Sequence, residues 1–407
     1  MTETGYKDRF AYDGWILFPV IILVGIGMVM VFSSSSMLAM REAASAFHYF
    51  QRQAIFAMVG FGVLIFFRHF PYRFFNMQKM AYLVLLVSLA ALIMVEIPGL
   101  GTSAGGATRW VNLGVISFQP SEMVKVGVVI FLAYSLTRKQ DCLDRWTVSL
   151  LPHVLILAPF ALLILLQPDF GSFVVITLIT LIMLFVGGVR VFHLLVAIGP
   201  ISAFSIWYLF QAPYRKARWL AFLDPEKYQN EFAYQLHQSL IAFASGGLWG
   251  QGFGQGRQKM FYLPEPHTDF IFSIIGEELG FLGVMTVIML YTALIFRGIV
   301  IASRAGDRFG ALLAGGLTTV LGIQICINMG VTLGLLPTKG LTLPFLSYGG
   351  TALLVDMACV GILMNIGLNQ QQGEDNGSVH SVRRRRNRRT PVSGYRHRRG
   401  IPAAGSR

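Results

Sequence analysis

Trp15-Ile16-Leu17-Phe18-Pro19-Val20-Ile21-Ile22-Leu23-Val24-Gly25-Ile26-Gly27-Met28-Val29-Met30-Val31-Phe32 runs without one charged side chain. At about 1.5 Å of rise per residue, a helix of roughly 20 such residues crosses a hydrocarbon layer of about 30 Å. No small-residue cleavage pattern follows the run, so it reads as a first membrane span and not as a removable signal. Similar runs recur near 53–67, 80–97, 121–136, 149–166, 172–187, 191–210, 270–296, 309–333 and 344–367. Together they predict an all-α, polytopic membrane protein with about ten transmembrane helices.

Composition agrees. The 407 residues are 54% hydrophobic and only 13% charged, whereas soluble domains carry about 25% charged residues. Mean hydropathy is +0.60. Cys142, Cys326 and Cys359 are too few and too scattered for a disulfide framework or a zinc site. The net charge of +13 would point to nucleic acid in a soluble protein, but much of it lies between Arg383 and Arg407. Such a tail beside a membrane helix is drawn to anionic lipid head groups, so lipid is expected as its partner and nucleic acid is not.

Placing the N-terminus in the cytoplasm puts most of the 33 basic residues on that side, so both termini are expected inside. The chain then divides into a cytoplasmic segment 1–14, a membrane domain 15–368 and a basic tail 369–407 whose polar composition reads as disordered. One large loop, about 211–269 between spans seven and eight, faces outward. Trp219 to Phe222 and Leu240 to Trp249 give it an ordered, partly membrane-lying character.

Polar groups cluster at three outward positions. Leu263-Pro264-Glu265-Pro266-His267-Thr268-Asp269-Phe270-Ile271-Phe272, followed by Glu277-Glu278, puts the Asp269 carboxylate where the loop enters an apolar helix. That carboxylate is either a helix cap or a reactive group. Arg109-Trp110-Val111-Asn112-Leu113-Gly114 precedes Gln119-Pro120-Ser121-Glu122-Met123-Val124-Lys125; Glu122 and Lys125 share a helix face, able to pair with each other or to meet an anion. Pro337-Thr338-Lys339-Gly340-Leu341-Thr342-Leu343-Pro344-Phe345-Leu346-Ser347-Tyr348-Gly349-Gly350 cannot form one continuous helix and predicts a re-entrant, cavity-lining segment. Gly250, Gly252, Gly254 and Gly256 read as a flexible turn, with no strand before them to support a nucleotide loop. Gln167-Pro168-Asp169-Phe170-Gly171 reads as a tight turn in which Asp169 caps the next helix, with a weaker claim to a substrate role.

Over roughly residues 10 to 370 the sequence resembles the SEDS family of bacterial cell-wall synthases. L-P-E-P-H-T-D-F-I-F, G-E-E-L-G and S-Y-G-G carry the resemblance, supported by R-W-V-N-L-G, Q-P-S-E-M-V-K, Q-P-D-F-G and Tyr234-Gln235 with Gln238-Ser239. Thr338-Lys339 after Pro337 is more similar to the division branch than to the elongation branch. Thr351-Ala352 departs from the serine pair common after S-Y-G-G, and the arginine-rich tail is longer than the family pattern.

The resemblance implies a peptidoglycan glycosyltransferase that polymerises lipid II during division, in the inner membrane at the septum. A class B penicillin-binding protein and other division membrane proteins would be its partners. Asp269 would be the base for the acceptor sugar hydroxyl. Arg109, Lys125 and Lys339 would hold pyrophosphate, with Trp110, Glu122, Gln238, Ser239, His267, Glu277, Ser347 and Tyr348 as further substrate residues. A divalent cation, Mg2+ or Mn2+, is expected to assist, although no ligand set is legible; no organic cofactor is expected. A lipid II flippase is the alternative. It would spread ionisable residues through the depth of the bundle, where Asp356 is the main one visible. An elongation-type polymerase and a non-catalytic division scaffold are further readings.

Overall fold

The computed structural model describes the backbone of residues 13–387 except 44, 105–106, 113, 115–116, 226, 229–232 and 261, and the side chains of 42–43, 103–104, 107 and from 369 onward lie outside the description. In chain order the helices are α1 (Gly14–Ala43), α2 (His48–His69), α3 (Gln78–Val95), α4 (Pro120–Arg138), α5 (Trp146–Leu166, interrupted at Leu150), α6 (Phe170–Val186), α7 (Val191–Phe210), α8 (Pro213–Leu223), α9 (Tyr234–Gly246), α10 (Ile271–Arg304), α11 (Arg308–Thr332) and α12 (Gly350–Asn387). Among the described residues nine helices are long and apolar enough to cross a membrane, and the expected sixth span, α6, is a shorter apolar helix.

Three differences from the sequence reading stand out. The last span starts at Gly350 and not at 344, because Phe345 adopts φ +65° and the chain before it is irregular. The backbone of α12 then continues through Asn387, past the Asn369 where the composition suggests an end; residues 388–407, with most of the basic tail, lie outside the described residues. The loop between α3 and α4 is not plain coil. It folds into a small antiparallel sheet, β1 (Gly101–Ala104), β2 (Ala107–Asn112) and β3 (Ser117–Phe118), in the order β1-β2-β3.

Burial separates the helices into a centre and a rim. In their most apolar stretches α4 is 83% buried and α7 only 6%. Helix α4 therefore packs on nearly every face, with α11 and α12 beside it, while α2, α5 and α7 turn large apolar side chains such as Phe192, Leu195 and Phe66 outward. A lipid environment tolerates that exposure because hydrocarbon is as apolar as the side chains themselves. Close approaches use glycine. A methyl group at Gly27 of α1 would lie 2.6 Å from the Phe345 carbonyl oxygen, so glycine there lets the irregular segment lie against α1.

At Gly280 (φ +65°, ψ −163°) α10 breaks into two helical pieces. The freed groups are satisfied by the glycine-rich turn: Gln251 and Gly252 amides donate to the Glu277 and Glu278 carbonyls at 2.9 and 3.1 Å, and the Phe281 amide donates to the Gly247 carbonyl at 2.9 Å. Irregular backbone at this depth requires such partners. The turn read from sequence as flexible is thus an ordered sleeve. Its Arg257 and Gly254 amides also donate to the Glu277 and Glu278 carboxylates, and Lys259 pairs with Glu278 at 2.7 Å.

Candidate active site

Prolines 264 and 266 keep regular helix from forming before Asp269; the chain runs through bends and turns there, with Glu265 at φ +51°. Helix α10 opens at Phe270 without any side-chain cap, and the Asp269 carboxylate makes no hydrogen bond among the described residues. Asp169 does cap its helix, as its turn suggests from sequence: its carboxylate accepts from the Ser172 amide at 3.2 Å and from the Ser172 hydroxyl at 2.7 Å at the start of α6.

The Asp269 backbone is held from several sides. Asn328 of α11 donates to the Asp269 carbonyl at 2.9 Å and to the Leu341 carbonyl at 2.6 Å. The Ser347 hydroxyl donates to the Thr268 carbonyl at 2.5 Å and accepts from the Leu343 amide at 2.8 Å. The Tyr348 amide donates to the His267 carbonyl at 2.9 Å, and Tyr49, His267 and Tyr348 form an aromatic cluster with ring centres 4.9 to 5.6 Å apart. The S-Y-G-G segment and the H-T-D-F segment therefore brace each other.

A methyl group at Gly340 would lie 2.9 Å from the Asp269 Oδ2, so the carboxylate rests close against this stretch of backbone and would have to shift for a larger residue there. Gly340 lines a cavity of about 130 Å³ whose wall also includes Arg109, Asp169, Phe170, Tyr214, Arg215, Arg218, Trp219 and Lys339. Four separate connections meet there: the β2 loop, the α5–α6 turn, the α7–α8 region and the chain between α11 and α12. Alternate connections of an up-and-down bundle share one end, which is why residues 230 positions apart in sequence converge.

Burial and the Glu265 carboxylate push the Asp269 carboxyl up to about 7, against the lowering pull of Arg109 and Arg218. Burial lowers the Lys339 ammonium to about 8, and the Asp169 carboxylate opposes that shift. Lys339 and Arg218 make no hydrogen bond or ion pair among the described residues. Lys339 Nζ stands 5.0 Å from the Phe170 ring centre, and Arg109 Nε is buried without a hydrogen-bond partner, 3.8 Å from Asp169 Oδ2. Arg215, by contrast, stacks 3.8 Å over the Tyr208 ring and donates to its carbonyl at 2.6 Å, which fixes α8 across the end of α7. The cavity thus offers cationic donors awaiting an anion and a carboxyl able to exchange a proton near neutrality.

Of the residues singled out in the sequence, Arg109 and Lys339 line the cavity and Asp269 borders it. Trp110 is half-buried on β2 next to Arg109, where the β1–β2 register is irregular, and it is not among the cavity-lining residues. Glu122 and Lys125 do not reach the cavity: both are buried in α4 and pair with each other at 2.7 Å, with Gln324 beside them. Helical spacing turned them inward, and burial demands that each neutralise the other. Gln238 is half-buried on α9, outside the lining. Ser239 bonds to the Ser273 hydroxyl and the Thr332 carbonyl, both at 2.6 Å, and so ties α9 to α10 and α11. Glu277 is engaged by backbone amides, and Ser347, Tyr348 and His267 brace the Asp269 segment. Sequence reasoning missed Tyr214, Arg215, Arg218 and Trp219. The available signal was the interleaving of basic and aromatic residues in the amphipathic helix α8.

Residues 14–372 match the family model described as cell cycle protein, which takes in FtsW, RodA and SpoVE. A probable peptidoglycan glycosyltransferase FtsW of Geobacter sulfurreducens is 42% identical over 361 residues, covering 88% of this chain and 96% of that one. One of the same description from Coxiella burnetii is 40% identical over 360 residues, again covering 88% and 96%. Among solved structures, a chain of a peptidoglycan synthase complex superposes with a TM-score of 0.73 at 28% identity, covering 89% of this chain and 99% of that one. The rod shape determining protein RodA of Thermus thermophilus superposes with a TM-score of 0.65 at 28% identity, covering 89% and 98%. The chain belongs to the FtsW, RodA and SpoVE family of cell cycle proteins, the SEDS family that its motifs resemble.

Proposed function

We propose that this membrane protein is a peptidoglycan glycosyltransferase of the division branch, polymerising lipid II on the outer side of the inner membrane with a class B penicillin-binding protein as partner. The observation that carries the reading is a carboxyl that caps no helix, Asp269, set beside a cavity with four cationic side chains. Glycosyl transfer from a lipid diphosphate needs both: a base for the acceptor hydroxyl and positive charge for the departing diphosphate. Asp269 takes the hydroxyl proton, while Arg109, Arg218 and Lys339 receive the diphosphate. Arg215 sets the helix that carries Arg218.

No group of three or more His, Cys, Asp or Glu among the described residues could hold a metal. A Mg2+ or Mn2+ ion would therefore take its ligands chiefly from substrate phosphates and water, the usual habit of Mg2+. Both termini are assigned to the cytoplasm and the protein to the septum on the same reading.

The test is polymerisation of labelled lipid II in detergent by the purified protein with its penicillin-binding protein. Wild type should yield glycan strands, and Asp269→Asn should lose about 10²- to 10⁴-fold in rate while unfolding at the same temperature. Full activity in a normally folded Asp269→Asn variant would remove Asp269 from this role. A wild type that makes no polymer under any cation condition, yet moves lipid II across vesicles, would favour the flippase.

A further inference from the structure

The cavity holds one group that polymerisation does not call for: a second carboxylate, Asp169, among the cations that are to receive an anion. Its two oxygens are both anchored on the first turn of α6, Oδ1 by the Ser172 amide and Oδ2 by the Ser172 hydroxyl. Neither is hydrogen-bonded to a cation. Arg109 Nε stays at 3.8 Å, beyond hydrogen-bond reach, and Arg109 leans instead on the Pro168 carbonyl at 3.3 Å. Gly171 brings the third partner in: a methyl group there would stand 3.4 Å from Asp169 Oδ1 and 3.6 Å from the Lys339 side-chain Cδ. Asp169 thus faces Arg109 and Lys339 at Coulombic range without taking up their donors.

We propose that Asp169 is the resident counter-ion of the cavity, holding the Arg109 guanidinium and the Lys339 ammonium in place until a diphosphate ester takes over as their partner. This rests on the reading of the cavity as the diphosphate site and makes Asp169 a positioning residue. Crowded into a partly dehydrated pocket, the cations repel one another, and the Asp169 carboxylate offsets that repulsion until an incoming diphosphate displaces the attraction. Tethered to the helix and held just short of hydrogen-bonding distance, it leaves their N–H groups open, and its charge is the competitor that a diphosphate must overcome. It also limits how tightly the diphosphate product is retained, since the departing anion is replaced by one already present.

The titratable and charged groups lining the cavity with Lys339 are Asp169 from the α5–α6 turn, Arg109 from β2, and Tyr214, Arg215 and Arg218 from α8, with Asp269 bordering it across Gly340. Asp169 is the one that supports the charged form of Lys339.

The test uses full-length protein carrying Asp169→Asn or Asp169→Ser. Both retain a capping acceptor for the Ser172 amide at the start of α6 and remove the negative charge. Titration calorimetry with inorganic pyrophosphate at low salt should show affinity at least about fivefold tighter than wild type in both variants. Adding Lys339→Met to Asp169→Asn should abolish the gain, tying it to this cavity. In the polymerisation assay the alkaline limb of kcat/KM should move to lower pH. Unchanged or weaker pyrophosphate binding, or an unmoved alkaline limb, overturns the proposal. The titration requires no turnover, so a failure of Asp169 and a failure of the glycosyltransferase reading give separate results.

Discussion

Asn328, buried in α11, donates from its side-chain amide to the Asp269 carbonyl at 2.9 Å and to the Leu341 carbonyl at 2.6 Å. One residue thus ties the start of α10 to the irregular chain before α12, the two segments between which the Asp269 carboxylate and Gly340 meet. Asn328→Ala should orphan two carbonyls, costing about 1–3 kcal/mol each where burial persists. It should lower the unfolding temperature in detergent and reduce polymerisation more than it weakens lipid II binding. A variant with normal melting and normal turnover would show that the bridge does not position the site.

The pH profile follows from two side chains. Asp269, pushed up to about 7, must lose its proton to act as base, so kcat/KM should rise through about pH 7. Lys339, lowered to about 8, must keep its proton to hold a phosphate, so the profile should fall above about pH 8. Kinetics on the free enzyme report these values. The sign for stability is opposite to that for activity at Asp269. Its raised value favours the protonated, folded state, a contribution present below its ordinary 3.8 and lost as pH rises through about 7. Asp269→Asn should abolish the acid limb and flatten that part of the stability curve.

Lys125→Ala should leave Glu122 buried and uncompensated, at a cost of about 3–5 kcal/mol. The double substitution Glu122→Gln with Lys125→Met should recover much of the loss, because two neutral side chains of similar volume replace the pair. Thermal unfolding of the three proteins in detergent separates these outcomes; equal damage from both would mean that the ions act beyond packing.

Gly246→Ala places a methyl group 1.9 Å from the Gly276 carbonyl oxygen. The close contact of α9 with α10 should fail, with a loss of about 1–3 kcal/mol or more. Gly199→Ala on the rim helix α7 meets nothing within 4 Å and should leave stability unchanged or raise it by up to about 1 kcal/mol, the helix preference of Ala over Gly. Comparing the two by thermal unfolding tests whether glycine serves packing at the first site alone.

The membrane architecture was legible because a span needs only length and apolarity, both local properties. Trp15–Phe32 declares itself without reference to any other residue. Asp269 was legible as a candidate for a similar reason: an ionisable group beside an apolar helix is anomalous by position alone. Glu122 and Lys125 were misplaced at the surface of a cavity because spacing reveals that two residues share a helix face, but not which way that face turns. Arg215 and Arg218 went unnoticed because their basic and aromatic setting reads equally well as a helix lying at the membrane surface.

The sequence by itself determined that the chain carries enough apolar runs to cross a bilayer many times, and it singled out Asp269 as an ionisable group beside an apolar helix. Only the tertiary structure decided that Asp269 does not cap its helix, and that the glycine turn sheathes Glu277 and Glu278. It also decided that Arg109, Arg218 and Lys339 share one cavity. Hydropathy acts residue by residue along the chain, whereas the availability of a charge depends on what distant segments bring within a few ångströms of it.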